Sequence, residues 1–319
     1  MIFCFSQRKA TIINSPAMQA PYLKKGDTVM ILATAGIVSD STIVDNAIEL
    51  LKDWGLNYRL GKHLFEPNGH FAGTDKQRAE DFQSALDDPS IKAIWCARGG
   101  YGTVRIIDHL DLSNFEKQPK WIVGFSDVTI LHNALHNRGA ESIHALMPST
   151  LKLGNEEQLD SQESLRKALF GEALSYEFES SSYNKKGKAK GQLVGGNLSI
   201  LYSVLGSETS INTDGKILFI EDLGEYAYHI DRMLRNLKRN GYFENCYGLI
   251  VGGITKVREN DVEFGKPVEA LILDVVAEYD FPVVFDFPAG HIRNNNALIL
   301  GREISLKARE RKTTVKFKN

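Results

Sequence analysis

The stretch KWIVGFSDVTILHNAL, residues 120–135, sets a serine and an aspartate between a short apolar run and a helical one. Trp121, Ile122, Val123 and Phe125 make the run, and Val128, Ile130, Leu131 and Leu135 follow at helical spacing. A strand that enters a helix through Gly-Phe-Ser-Asp has two readings. Ser126 or Asp127 can be the helix N-cap, its side-chain oxygen accepting a free N–H of the first turn. Alternatively, the turn presents the Ser126 hydroxyl at the carboxyl end of a sheet, where helix N–H groups can hold a developing oxyanion. The second reading requires a base and an acid from elsewhere in the chain.

Eight histidines are candidates for the base. His132 and His136 have the spacing of two zinc ligands on a helix, but no Glu follows His132 and no third ligand is evident, so packing or surface roles are expected. His63, His70 and His109 lie in ordinary surroundings, and His229 opens a helix as a capping or pocket residue. His291 differs. It sits in DFPAGHIRNNN, a Pro-Ala-Gly turn at the end of an apolar strand, from which an imidazole can project.

For the acid, KILFIEDLGE puts Ile217, Phe219 and Glu221 on one face of a strand and Leu218, Ile220 and Asp222 on the other. A carboxylate buried there costs several kcal/mol unless compensated. An imidazole N–H compensates it, and the carboxylate in turn fixes the tautomer of the base. Either carboxylate can serve; spacing favours Glu221 only slightly. In CARGGYGTVRIIDHL, Gly99, Gly100 and Gly102 match neither dinucleotide nor P-loop spacing. Their use is close backbone approach, one N–H facing Ser126 beside that of Asp127. Arg98 can pair with a substrate carboxylate or in a structural ion pair.

These residues need elements to hold them. DTVMILATAG, NYRLGKHL, IKAIWCARGG and the strand before Ser126 alternate with helices over SDSTIVDNAIELLKDWG, TDKQRAEDFQSALDDPS, GTVRIIDHL and VTILHNAL. That alternation predicts a parallel sheet covered on both faces, with ligands outside the carboxyl ends of its strands. DSQESLRKALFG reads as a helix and LSYEFES as a strand, and SSYNKKGKAKG is the most linker-like stretch. A second α/β unit follows. Its strands are KILFIED, YGLIVGGI, FPVVFDF, NALILG and EISLKA, and its helices AYHIDRMLRNLKRNG and PVEALILDVVAEY. The expected division is an unstructured extension over 1–17 with Met18 a candidate start, a first domain over 18–166, a linker over 167–184 and a second domain over 185–319.

Composition excludes several classes. A net charge of −2 predicts no strong attraction to nucleic acid or anionic membrane, and no stretch approaches a membrane span. Cys4, Cys96 and Cys246 are too few and too far apart for a disulfide framework or zinc site. No metal or cofactor is expected. The apolar start precedes its charges, the reverse of a secretory signal, and a cytoplasmic location is expected.

From PYLKKGDTV onward the chain resembles the LD-carboxypeptidases, serine peptidases acting on peptidoglycan peptides, a family that includes peptidases conferring immunity to microcin C. The resemblance rests on FAGTDKQRAEDFQSALDDPSIKAIWCARGGYG, GFSDVTILHNAL, LVGGNLSILYSVLG, KILFIEDLGEYAYHIDRML and FPAGH, in that order. It implies a flavodoxin-like parallel-sheet N-terminal domain and a smaller C-terminal α/β domain. It further implies Ser126 as nucleophile, Glu221 as orienting acid, His291 as general base, and the N–H groups of Gly100 and Asp127 as oxyanion donors. Arg98, Tyr101 and His229 are its candidate substrate-binding residues, a murein tetrapeptide its substrate, and a homodimer its assembly. The chain departs from the family in having Ala145 in IHALMP where glycine is usual, and His229 where arginine is common; both bear on specificity. Two rival readings are an α/β-hydrolase esterase, which would need the second glycine of G-x-S-x-G, and a two-domain binding protein in which Ser126 is only a cap.

Overall fold

The computed structural model describes residues 18–258 and 262–319; the extension expected over 1–17 lies outside them. The runs TVMIL, IKAIWC and WIVG are apolar almost without interruption, as strands covered on both faces must be, and they form the middle of a parallel sheet.

In chain order the first half contains β1 (Thr28–Leu32), α1 (Thr42–Asp53), β2 (Asn57–Leu60), the small hairpin β3 (Pro67–Asn68) and β4 (Phe71–Ala72), α2 (Asp75–Asp87) and β5 (Ile91–Cys96). It continues with α3 (Ser113–Lys117), β6 (Trp121–Gly124), α4 (Thr129–Asn137), β7 (Ser142–His144) and α5 (Leu159–Phe170). A capping box starts α2: Thr74 Oγ1 accepts from the Gln77 N–H at 3.2 Å, and Gln77 Oε1 accepts from the Thr74 N–H at 2.8 Å. The second half contains β8 (Ser175–Glu179), β9 (Gly187–Asn197), α6 (Leu198–Ser203), β10 (Ile217–Leu223), α7 (Ala227–Arg239), β11 (Gly248–Thr255), α8 (Val268–Val275), β12 (Val283–Val284), β13 (Leu298–Leu300), β14 (Glu303–Ala308) and β15 (Lys312–Phe317).

The first sheet has the order β13-β7-β6-β5-β1-β2. Its five strands from the first half are parallel and follow the flavodoxin-like order, with antiparallel β13 added at one edge. The second sheet, β12-β11-β10-β9-β14-β15-β8, is parallel from β12 to β9 and antiparallel beyond. One apolar cluster runs from Val29 and Val123 in the first sheet to Ile217, Phe219 and Leu306 in the second. The lobes therefore share a core.

Four expectations are corrected. The segment 167–184 is not a linker throughout, because α5 extends to Phe170 and β8 occupies Ser175–Glu179. Tyr176 donates to the Ala297 carbonyl at 2.5 Å, and the Tyr176 and Phe178 rings pack edge-on against Phe287. The lysines of KKGKAKG mimic a linker, yet Lys188 and Lys190 point outward at period two from β9. The second-domain range 185–319 is interrupted by β13, which returns to the first sheet beside β7. The helix expected over GTVRIIDHL is two single 3-10 turns, held by the Thr103 N–H on the Asp127 carboxylate and by Arg105 on Asp75. FPVVFDF shrinks to Val283–Val284, since Pro282 offers no N–H and Asp286 turns to φ +59°.

The tie between lobes ends in a buried ion pair. Arg302, just past β13, donates to Glu141 from Nε at 3.0 Å and Nη2 at 2.5 Å, with the Tyr22 hydroxyl at 3.0 Å. Removing one partner strands the other charge in the interior. Arg302→Met is expected to lower unfolding free energy by about 3–5 kcal/mol, read from urea midpoints, and adding Glu141→Leu is expected to restore most of it. Equal losses in both variants would contradict this account.

Candidate active site

The turn after β6 decides between the two readings of Ser126. Phe125 is extended, and Ser126 then adopts φ +62°, a left-handed conformation that a non-glycine residue holds at a cost of about 1–3 kcal/mol. Neither Ser126 nor Asp127 caps α4, whose N-cap is Val128 with no side-chain hydrogen bond. Asp127 is instead committed to the neighbouring loop, Oδ2 accepting the Thr103 N–H at 2.8 Å, and burial raises its pKa. The cap reading fails.

Gly99 stands against the serine. A Cβ on Gly99 would lie 3.0 Å from Ser126 Cβ and 3.2 Å from its Oγ, so only glycine leaves the hydroxyl room. Gly100 follows at φ +109°, backed by Gly36.

Alternation along β10 sends Glu221 inward with Ile217 and Phe219, and Asp222 to the other face. Glu221 is fully buried. Its Oε2 accepts two hydrogen bonds from one residue, the His291 backbone N–H at 3.1 Å and Nδ1 at 2.6 Å. Gly290 makes this possible: at φ +102°, any Cβ there would lie 2.7 Å from Glu221 Cβ and 2.8 Å from Oε2. An ionised carboxylate only accepts, so Nδ1 carries the proton and Nε2 keeps its lone pair. The His291 ring lies 4.8 Å, centre to centre, from that of Phe125, the residue before Ser126.

Ser126 and His291 line one cleft of about 360 Å³ with Arg98, Gly99, Gly100, Asn197, Asp222 and Glu225. Burial pushes the Glu221 pKa up, but His144 and His291 beside it outweigh burial and hold the carboxyl below its ordinary range. Burial pushes His291 down, and the Glu221 hydrogen bond and charge reverse this, leaving it above 6.5. Stability from that contact is full below the unfolded imidazole pKa and is lost as pH rises through the raised one. Asp222, bonded to Asn197 at 3.1 Å and to the Ser199 N–H at 2.9 Å, is raised to about 6 by burial and then by the Glu221 charge.

The other candidates are spread more widely. Arg98 lines the cleft while its Nη1 donates to the Ile37 carbonyl at 2.9 Å. Tyr101 is half exposed against Phe71 and is not among the cleft-lining residues. His229 reaches the cleft only through Glu225, to which its Nδ1 is hydrogen-bonded. His132 is a packing residue: it bonds the Gly124 carbonyl and Ser142 Oγ, both at 2.9 Å, and burial lowers its pKa to about 3. Among the described residues, no group of three or more His, Cys, Asp and Glu is placed to hold a metal, and no helix is long and apolar enough to cross a membrane.

Sequence reasoning passed over His144 and Glu225. His144 is fully buried, with Nε2 3.9 Å from Glu221 Oε1. Its only signal was its place in IHALMP, and its nearness to Glu221 depends on strand pairing that spacing does not reveal.

The site thus has a strained serine after the fourth strand of a parallel sheet, and a Glu–His pair from the second sheet whose imidazole lines the same cleft. The chain belongs to the LD-carboxypeptidase family: the family's N-terminal domain matches residues 29–145 and its C-terminal domain residues 190–306. It is 36% identical over 297 residues to the "Probable murein peptide carboxypeptidase" of Bacillus subtilis, covering 92% of each chain. It is 29% identical to the murein tetrapeptide carboxypeptidase of Pseudomonas aeruginosa, over 87% of this chain and 92% of that one. The solved muramoyltetrapeptide carboxypeptidase from Oxalobacter formigenes superposes with a TM-score of 0.84 at 27% identity, over 92% of this chain and 99% of that one. The microcin C7 self immunity protein MccF shares the fold, with a TM-score of 0.84 at 21% identity over 94% of this chain and 98% of that one.

In an NMR titration the His291 imidazole is expected to titrate above 6.5. Glu221→Gln removes the charge that favours the imidazolium and moves the midpoint down. An unmoved midpoint would show that the carboxylate does not govern this ring.

Proposed function

We propose that the protein is a serine LD-carboxypeptidase that releases the terminal D-alanine of murein tetrapeptides, with Ser126 as nucleophile, His291 as general base and Glu221 as its orienting acid. The observation that carries this reading is the 2.6 Å Glu221–His291 contact opening onto the cleft that holds a serine at φ +62°.

Nε2 of His291 takes the Ser126 proton as Oγ attacks the carbonyl carbon of the L-centre. The oxyanion formed is held by the N–H groups of Gly100 and Asp127. The C–N bond then breaks, and His291 returns the proton to the leaving amine of D-alanine. Water adds to the acyl-enzyme, gives a proton to His291, and the C–Oγ bond breaks with that proton returning to Ser126.

The cleft has charge of both signs, Asp222 and Glu225 against Arg98. This suits a peptide end that carries both an ammonium, from diaminopimelate or lysine, and a terminal carboxylate. The same acidic pair opposes the phosphate of a peptide–nucleotide conjugate, which places microcin-type amide hydrolysis second. Tyr101 and His229 are proposed to act at the rim, His229 by fixing Glu225. A cytoplasmic site of action and a homodimer belong to the same proposal; light scattering would give about twice 35.6 kDa for a dimer.

Mass spectrometry of a tetrapeptide muropeptide incubated with enzyme is expected to show loss of one alanine from the carboxyl end only. Ser126→Ala is expected to lower the rate by about 10⁴-fold or more. An unaffected rate would end the proposal.

A further inference from the structure

Beneath the cleft lies a polar group that the mechanism leaves unused. Oε2 of Glu221 takes both His291 bonds, while Oε1 is buried with no hydrogen-bond partner among the described residues. Both ring nitrogens of His144 are buried and likewise unpartnered among the described residues, and Nε2 lies 3.9 Å from that oxygen. Two orphaned groups facing each other in an interior each keep a desolvation cost that no hydrogen bond offsets. A shift of about 1 Å would turn the pair into one hydrogen bond. Leucine would fill the same space without any polar cost.

The place of His144 in the fold gives it leverage. In β7 it pairs with Gly124 of β6, two residues before the nucleophile. On its other side it pairs with Leu298 of β13, the strand that follows the His291 loop. Its ring is gripped edge-on by Phe125 at 5.7 Å, the residue before Ser126, and by Phe219 at 5.1 Å, two residues before Glu221 on β10. His132, 6.4 Å away, has both ring nitrogens engaged elsewhere.

We infer that His144 is a positioning residue for Glu221, donating its Nε2–H to Oε1 so that Oε2 stays aimed at His291. This rests on the Ser126–His291–Glu221 reading. His144 touches no substrate and acts through the carboxylate alone.

The test measures kcat and KM for D-alanine release by His144→Leu and His144→Gln, each in the wild-type and Glu221→Gln backgrounds. His144→Leu is expected to lose at least about tenfold in kcat with KM within about twofold, and His144→Gln, which keeps an N–H donor, to recover most of it. In the Glu221→Gln background, His144→Leu is expected to cost little more, since both substitutions break one link. A wild-type kcat for His144→Leu, or the same loss in both backgrounds, would overturn the inference.

Should His144→Leu fail to fold by circular dichroism, NMR of the unaltered enzyme decides. A slowly exchanging downfield Nε2–H of His144, moved by Glu221→Gln, supports the contact, and its absence refutes it. Full activity of Ser126→Ala and Glu221→Gln would instead refute the catalytic reading itself.

Discussion

A carboxylate with no exposed surface dictates how the two lobes meet. Taking the Glu221 charge out of water costs several kcal/mol even after relaxation, and the two N–H groups of His291, with the His144 imidazole nearby, offset it. The two N–H donors lie on one residue, so the loop after β12 must come down onto the end of β10 in one orientation. Gly290 permits the approach, because any larger residue would strike Glu221. The same loop then runs into β13, which closes the first sheet beside β7. A local electrostatic need thus becomes a connection between sheets, fastened further by Arg302 on Glu141.

The nucleophile turn obeys a second constraint, steric in origin. At φ +62° a glycine would relieve the strain at position 126, yet a serine stands there and a glycine faces it at 99. Strain kept at one residue and space cleared opposite it both favour a hydroxyl presented to a ligand. The adjacent carboxylates of β10 are separated by pleating: Glu221 faces the core and Asp222 the cleft. Their closeness still tells, since the Glu221 charge adds to burial in raising Asp222 to about 6.

Much of this was legible because local periodicity carries it. The meeting of a strand run with a helical run at Ser126, the period-two split of Glu221 and Asp222 onto opposite faces, which left the choice between them open, and the Pro-Ala-Gly turn before His291 are all properties of neighbours in sequence. The parallel sheet followed from alternating strands and helices. What escaped depends on pairing between distant segments. β13 looks like any short apolar strand until its partner is known, and His144 looks like an ordinary histidine until β6, β7, β10 and β13 are assembled around it. The lysine-rich start of β9 was mistaken for a linker because charges facing solvent at period two share a linker's composition. The 3-10 turns after Gly102 escaped because Asp127, a residue 24 positions on, takes their first N–H.

The proposed relay makes Ser126 and His291 one chemical unit, although they come from different lobes. Single-turnover release of D-alanine by Ser126→Ala, by His291→Ala and by the double variant tests this directly. A unit predicts that the double variant is no slower than the slower single one, because either loss already removes the attacking alkoxide. Losses that multiply would show two independent contributions and contradict the account.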